Sequence, residues 1–174
     1  KQFSHLLCAA ALLLSGPLAI AQSDELLQKA QAGDAQAQFK LAAVYLTGRG
    51  GPKNDDEAAK WFMLAAKQGH AESQANMGLM YGRGRGVPQS DEEAVKWYRL
   101  AAEQGDADGL FNLAVMYDDG RGVAENPEEA VRLYRLAVAQ NHVSSQSNLG
   151  YMYDHGRGVA QDSKEAFKWY MIAA

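Results

Sequence analysis

The chain has 174 residues, of which 47% are hydrophobic and 22% charged. This balance is typical of a chain that buries a sizeable core, and it excludes a disordered or fibrous protein. The formal net charge of −4 argues against the broad basic surface that binding to a nucleic-acid backbone requires. A lone cysteine, Cys8, offers no disulfide, so packing must stabilise the fold.

The first 21 residues have the layout of a secretory signal peptide. Lys1 precedes an apolar stretch over 6–14, and the small residues Ala19 and Ala21 stand three and one positions before the expected cleavage point at Gln22. The apolar stretch is shorter than the roughly 20 residues that span a bilayer, which disfavours a membrane anchor. We therefore expect a signal peptide over 1–21, a periplasmic or secreted protein, and no stable membrane insertion after cleavage.

Beyond residue 32 the sequence repeats every 36 residues, as the spacing of its tyrosines shows. Four copies follow one another without insertion or deletion. They cover 33–68, 69–104, 105–140 and 141–174, with Tyr45, Tyr81, Tyr117 and Tyr153 at equivalent positions. The preceding residues 22–32 contain Leu26, Leu27 and Ala30, and we predict that they form an N-terminal capping helix, because an uncovered repeat end exposes apolar surface.

Each copy is predicted to form two helices. The first has a large apolar residue, a small residue and a tyrosine at i, i+1 and i+4, as in Leu113, Ala114 and Tyr117. In the second, alanines and aromatic residues recur with helical spacing, as in Ala94, Trp97 and Tyr98. We expect the small residue of the first helix to let the neighbouring helix approach closely.

Both helix boundaries carry signals. Asn54, Ser90, Asn126 and Asp162 stand three residues before Glu57, Glu93, Glu129 and Glu165. That spacing predicts a capping box, in which the first side chain accepts from an exposed amide and the glutamate reaches back. The first helix of each copy is expected to end at a glycine followed by Arg-Gly. The recurring arginines of these turns should pair with local carbonyls or acids: Arg49, Arg85, Arg121 and Arg157.

The repeat resembles a known family. The run Asn112-Leu-Ala-Val-Met-Tyr-Asp-Asp-Gly-Arg-Gly-Val123, followed by Ala130 and Tyr134, is similar to the Sel-one-like repeat (SLR) family, relatives of the tetratricopeptide repeat. The resemblance spans 33–174 and implies an all-α fold, a right-handed α-solenoid of four tandem 36-residue helix-turn-helix repeats, with the first helices lining a concave face. The family is known mainly for adaptors and scaffolds, including bacterial envelope proteins. Gly51, Leu133 and Asn141 depart from its usual Val, Trp and Gly.

The sequence shows no convincing active site. The common zinc-protease and serine-nucleophile signatures are absent. His70 and His142 occupy the same position in two copies, where we expect a role at a helix start and no metal binding. We therefore predict no enzyme activity, no catalytic residue, no metal and no cofactor.

Recognition residues should lie where the copies differ, on the stripe of the first helix beside the core. The predicted partner-binding residues on the concave face are Lys40, Glu72, Asn76, Arg83, Asp108, Asn112, Asp119, Asn148, Tyr151 and His155. Asn76, Asn112 and Asn148 stand at equivalent positions of this set. They either bind the backbone of an extended peptide or simply cap and solvate the helices.

The leading hypothesis is an exported protein-protein interaction scaffold that binds a peptide or protein. The alternative is a hydrolase acting on β-lactams or cell-wall fragments, an activity assigned to cysteine-rich relatives whose cysteine pairs this chain lacks; a nitrocefin assay would separate the two. The last residues, from Trp169 to Ala174, are predicted to form a second helix with an uncovered apolar face. We expect either a longer natural chain or self-association through this end.

Overall fold

The computed structural model describes residues 17–49 and 51–173. This part of the chain forms nine α-helices and no strand. They are α1 (Pro17–Gln31), α2 (Ala35–Thr47), α3 (Asp55–Lys67), α4 (Ala71–Arg83), α5 (Asp91–Glu103), α6 (Ala107–Asp119), α7 (Pro127–Val138), α8 (Val143–His155) and α9 (Ser163–Ala173). Most of the predicted signal peptide, residues 1–16, lies outside the described residues, and Gln22 lies within α1.

The helices pack as four consecutive pairs, which we number as the first to fourth repeats. The pairs are α2–α3, α4–α5, α6–α7 and α8–α9, and each second helix also packs against the first helix of the next pair. The predicted all-α solenoid of four helix pairs is confirmed. Ahead of the first repeat, Leu26 and Leu27 of α1 pack against Ala37 and Leu41 of α2.

Small residues set the distance between the helices of a pair. Next to the buried Met77, Gly78 faces the ring of Tyr98, and a Cβ at Gly78 would lie 2.5 Å from that ring. Gly150 meets Tyr170 in the same way, at 2.8 Å. Any side chain at these glycines would push the second helix outward, as the sequence pattern predicted.

The second helices begin with only half of the predicted capping box. Asn54 and its three equivalents accept a hydrogen bond from the amide of the glutamate three residues on. The glutamate does not reach back. The backbone amide of each capping residue instead donates to the carbonyl of the tyrosine in the last turn of the first helix, at 2.8–3.0 Å. The four glutamates pair with a Lys or Arg three residues on.

The Gly-Arg-Gly turns connect the two helices of a repeat and contact the preceding repeat. Gly120 ends α6 in the left-handed conformation, with φ of 65°. Gly122 also has a positive φ, and a Cβ there would lie 2.3 Å from the backbone of Asp91, where α5 of the preceding repeat begins. Gly86 and Gly158 approach the starts of α3 and α7 equally closely. Glycine is thus required because the backbones of neighbouring repeats nearly touch.

Three arginines of these turns, Arg85, Arg121 and Arg157, pair with acids, but not locally. Arg85 donates twice to Asp55, at 2.9 and 3.1 Å, and its guanidinium lowers the pKa of that carboxyl. Arg121 donates twice to Asp91, at 2.7 and 3.2 Å. Each of these two arginines thus binds an aspartate of the preceding repeat. Pro127 replaces the aspartate in the next repeat, and Arg157 binds Asp118 and Glu125 instead.

Candidate functional site

The ten predicted partner-binding residues all lie on the first helices of the four repeats. Lys40 is on α2; Glu72, Asn76 and Arg83 are on α4; Asp108, Asn112 and Asp119 are on α6; and Asn148, Tyr151 and His155 are on α8. The three asparagines are half-buried and the other seven are exposed. We call the surface formed by these residues the first-helix face.

The asparagines of this face do not all make the same contact. Asn76 and Asn112 each donate to a carbonyl one turn back on their own helix, at 2.8 Å. Asn148 instead donates to the hydroxyl of Tyr134, at 2.9 Å. Each of these bonds uses one of the two amide hydrogens, so every asparagine keeps donor capacity for a ligand.

The two histidines shared by the second and fourth repeats cap first helices, as predicted. The Nδ1 atom of His142 accepts from the amide of Ser145 at 3.2 Å, and Nε2 lies 3.2 Å from Asp108 of the preceding first helix. His70 caps α4 in the same way, with Gln36 in place of the aspartate. The sequence pattern did not reveal that these imidazoles also link neighbouring first helices.

A small pocket opens where the second repeat meets the third. We name this contact between the two repeats the second step. The pocket has a volume of about 130 Å³. Its residues come from α4, α5, α6 and the turn after α6: Leu79, Gly82, Arg83, Tyr98, Asn112, Val115, Met116 and Arg121. Burial raises the pKa of Tyr98 to about 12, while Arg83 and Arg121 oppose that rise. The phenol therefore stays protonated near neutral pH, and the charged groups near it are Arg83, Arg121 and Asp91.

The equivalent position between the third and fourth repeats, the third step, has a different character. There the hydroxyl of Tyr134 is bonded to Asn148. Burial raises the pKa of Tyr134, and the carboxylates of Asp118 and Asp119 raise it further. These aspartates occupy the positions of Gly82 and Arg83 in the second repeat. Periodicity identified Tyr98 and Tyr134 only as core residues and gave no sign of this difference.

A second exposed surface lies on α9. Phe167, Met171 and Ile172 are 65%, 61% and 58% exposed. The side-chain oxygen Oε1 of Gln146 on α8 and the indole nitrogen of Trp169 on α9 are buried without a hydrogen-bond partner among the described residues. Unpaired buried polar atoms are uncommon in native proteins. We name the three apolar residues the α9 patch.

In the described part of the chain, no cluster of His, Cys, Asp and Glu side chains is suited to a metal ion. None of the helices there combines the length and apolar character needed to cross a membrane.

Comparison with known sequences and structures identifies the family to which the repeat belongs. The Sel1 repeat model matches residues 35–70, 71–106, 107–142 and 143–174, and each match begins at the first residue of a first helix. A protective antigen present in uropathogenic Escherichia coli strains, solved as an SLR fold, is 40% identical with a TM-score of 0.82; the match covers 86% of this chain and 32% of that one. No curated protein sequence matches the chain.

Two other solved structures share the architecture. A Sel1 repeat protein from Oxalobacter formigenes is 36% identical with a TM-score of 0.81, over 85% of this chain and 59% of that one. Helicobacter pylori cysteine rich protein B, at 17% identity and a TM-score of 0.57 over 72% of this chain and 90% of that one, shares the fold. The chain spans less than two thirds of the first two proteins. Sel1-repeat proteins are generally protein-interaction scaffolds, and this chain belongs to the Sel1 repeat family.

Proposed function

We propose that the chain is an exported protein-interaction scaffold that holds an extended segment of a partner protein across the first-helix face. The observation that carries this proposal is the division of the surface. The residues that recur in every repeat are used in packing, capping and the Gly-Arg-Gly turns. On the first-helix face, side chains differ from repeat to repeat while their positions recur, which offers an extended chain a series of distinct contacts.

Binding is tested by selecting 12-residue peptides from a display library against the purified chain and measuring the affinity of the selected peptides. Replacing Asn76 and Asn112 together by Ala should weaken binding about tenfold, because each amide supplies a hydrogen bond to the peptide backbone. The matched control replaces Lys60 and Lys96, which are exposed on second helices, and should leave affinity unchanged. Peptides whose affinity changes only when Lys60 and Lys96 are replaced would contradict the proposal.

Export is the second part of the proposal, and it rests on the layout of residues 1–21. The description of the 40% identical relative as a protective antigen is compatible with a protein that leaves the cytoplasm. Expression in a bacterial host followed by mass spectrometry of the periplasmic or secreted fraction should find a chain that begins at Gln22. A chain that keeps Lys1 in the membrane fraction would show that the segment is a retained anchor.

The α9 patch supports self-association of the chain. Its three large apolar side chains are exposed together, and soluble proteins seldom leave such a patch uncovered. Light scattering over a concentration series should show a mass that rises with concentration. Replacing Phe167 and Met171 by Ser should abolish this rise, and replacing the exposed Lys164 by Ser should not. A chain that stays monomeric throughout would contradict self-association.

A further inference from the structure

The hydroxyl of Tyr98 has no hydrogen-bond partner among the described residues. Tyr98 is only 4% exposed and lines the second-step pocket. The equivalent hydroxyl of Tyr134 is satisfied by Asn148, whereas Asn112, which stands in the place of Asn148, donates to the carbonyl of Asp108 instead. The pocket therefore presents a hydroxyl group that is free to donate.

The balance of charge around this hydroxyl differs from that at the third step: Tyr98 has Arg83 and Arg121 against Asp91, whereas Tyr134 has Asp118 and Asp119 against Arg157. Arg83 makes no ion pair with any residue that the structure describes, although it lines the pocket. Arg121 also lines the pocket, but its guanidinium is held by Asp91. At the third step the position of Arg83 is taken by Asp119. An anion entering the second-step pocket thus meets one uncompensated cation and one open hydroxyl.

The walls of the pocket are apolar, since Leu79, Val115 and Met116 line it. A ligand that fits needs a short aliphatic stem to cover these side chains and an anionic head to reach Arg83 and Tyr98. A cavity of about 130 Å³ has room for one side chain of that kind. Charge-assisted hydrogen bonds from an arginine and a hydroxyl are the contacts that carboxylates prefer.

We propose that the second-step pocket binds the side-chain carboxylate of a glutamate or aspartate in the segment held on the first-helix face. This inference rests on the proposed function, because the acidic side chain belongs to the bound peptide. Arg83 and the Tyr98 hydroxyl donate to the carboxylate, and its methylene groups contact Leu79 and Val115. Burial raises the pKa of Tyr98, so the hydroxyl keeps its proton and remains a donor at neutral pH.

The position of the pocket indicates that it binds a side-chain carboxylate of the peptide and not the carboxylate at the peptide's C-terminus. Predicted contact residues continue on both sides of it, with Lys40 on α2 and Tyr151 on α8. An extended peptide that uses these contacts passes over the pocket in its middle. The same peptide finds no second carboxylate site at the third step, because Arg157 is already paired with Asp118 and the position of Arg83 is taken by Asp119, which repels an anion.

The test is a double-mutant cycle on a peptide selected against the whole chain and synthesised with blocked ends. Replacing the glutamate that the selected peptide places in the pocket by its neutral isostere, Glu→Gln, should weaken binding to the unaltered protein about tenfold or more. With Arg83→Gln or Tyr98→Phe the same peptide change should cost no more than about twofold, because the carboxylate has already lost its donor. The matched controls, Lys67→Gln and Tyr134→Phe, should keep the tenfold difference.

Three results would overturn the inference. Selected peptides that bind the first-helix face with equal affinity for Glu and Gln would remove the carboxylate site and leave the proposed function standing. An affinity that depends on a free carboxyl terminus, measured with unblocked peptides, would assign the pocket to a chain end. Failure of the chain to bind any peptide would overturn the proposed function and this inference together.

Discussion

The Gly-Arg-Gly turns and the first-helix face differ in whether equivalent positions keep the same residue from repeat to repeat. In the turns, the same contact recurs: Gly86, Gly122 and Gly158 each approach the start of the preceding second helix. On the first-helix face, equivalent positions hold different chemistry, as Arg83 and Asp119 show. Residues that recur carry the stability of the solenoid, and residues that vary are available for recognition. Substitutions should therefore cost stability in the first region and very little in the second.

The largest loss of stability is expected in the core behind both regions. Leu113 is 4% exposed, and Leu113→Ala should lower the free energy of unfolding by about 2–5 kcal/mol through lost burial and the cavity left behind. Lys96 is exposed on a second helix, and Lys96→Ala should cost under about 0.5 kcal/mol. Urea denaturation of both variants measures the difference, and equal losses would mean that the helix faces are misassigned.

A smaller but still large loss is expected in the turns. Gly122→Ala places a Cβ 2.3 Å from the backbone of Asp91 and keeps a positive φ, so the two repeats must separate, at a cost of about 2–3 kcal/mol. Gly105 has a positive φ as well, with no atom within 4 Å of a Cβ. Gly105→Ala should cost only about 1 kcal/mol of backbone strain. Thermal melting that ranks the two variants in the reverse order would contradict the proposed role of the turn.

How far the sequence predicts these regions depends on whether a contact stays inside one repeat. Helix pairs, capping residues and the core were predictable, because they follow from a local period. The partners of Arg85 and Arg121 were not, since the acids lie in the preceding repeat and only packing brings them together. The glutamate half of the capping box was wrong because the amide it should bind is already used by a tyrosine carbonyl.

The candidate site shows the same limit. All ten predicted residues lie on one type of helix, so the face itself was predictable from the stripe where the repeats differ. The pocket was not, because Tyr98 was assigned to the core by its period. Only the structure shows that its hydroxyl lies beside Arg83 and Arg121, and that the Asn112 amide donates to its own helix instead.

The ion pair between Arg85 and Asp55 joins two repeats and should contribute about 1 kcal/mol to the free energy of unfolding. Arg85 lowers the pKa of Asp55 in the folded protein, so folding favours the ionised carboxyl. This contribution is present above the pKa of Asp55 in the unfolded chain and is lost as the pH falls through its lower folded value. Asp55→Asn should reduce the free energy of unfolding at pH 7 and flatten its decline in acid. A decline of unchanged steepness would show that Asp55 is not coupled to folding.

The smallest effects are expected at the two tyrosine hydroxyls, and they separate the second step from the third. Tyr134→Phe removes the bond to Asn148, but that amide can turn to its own helix as Asn112 does. The free energy of unfolding should therefore fall by only about 0.5 kcal/mol. Tyr98→Phe removes a hydroxyl that is bonded to no described residue, and it should leave stability unchanged within about 0.3 kcal/mol, or raise it slightly. Urea denaturation of both variants side by side is the measurement. If Tyr98→Phe destabilises the protein as much as Tyr134→Phe, its hydroxyl already has a partner in the free protein, and it is not held open for a ligand.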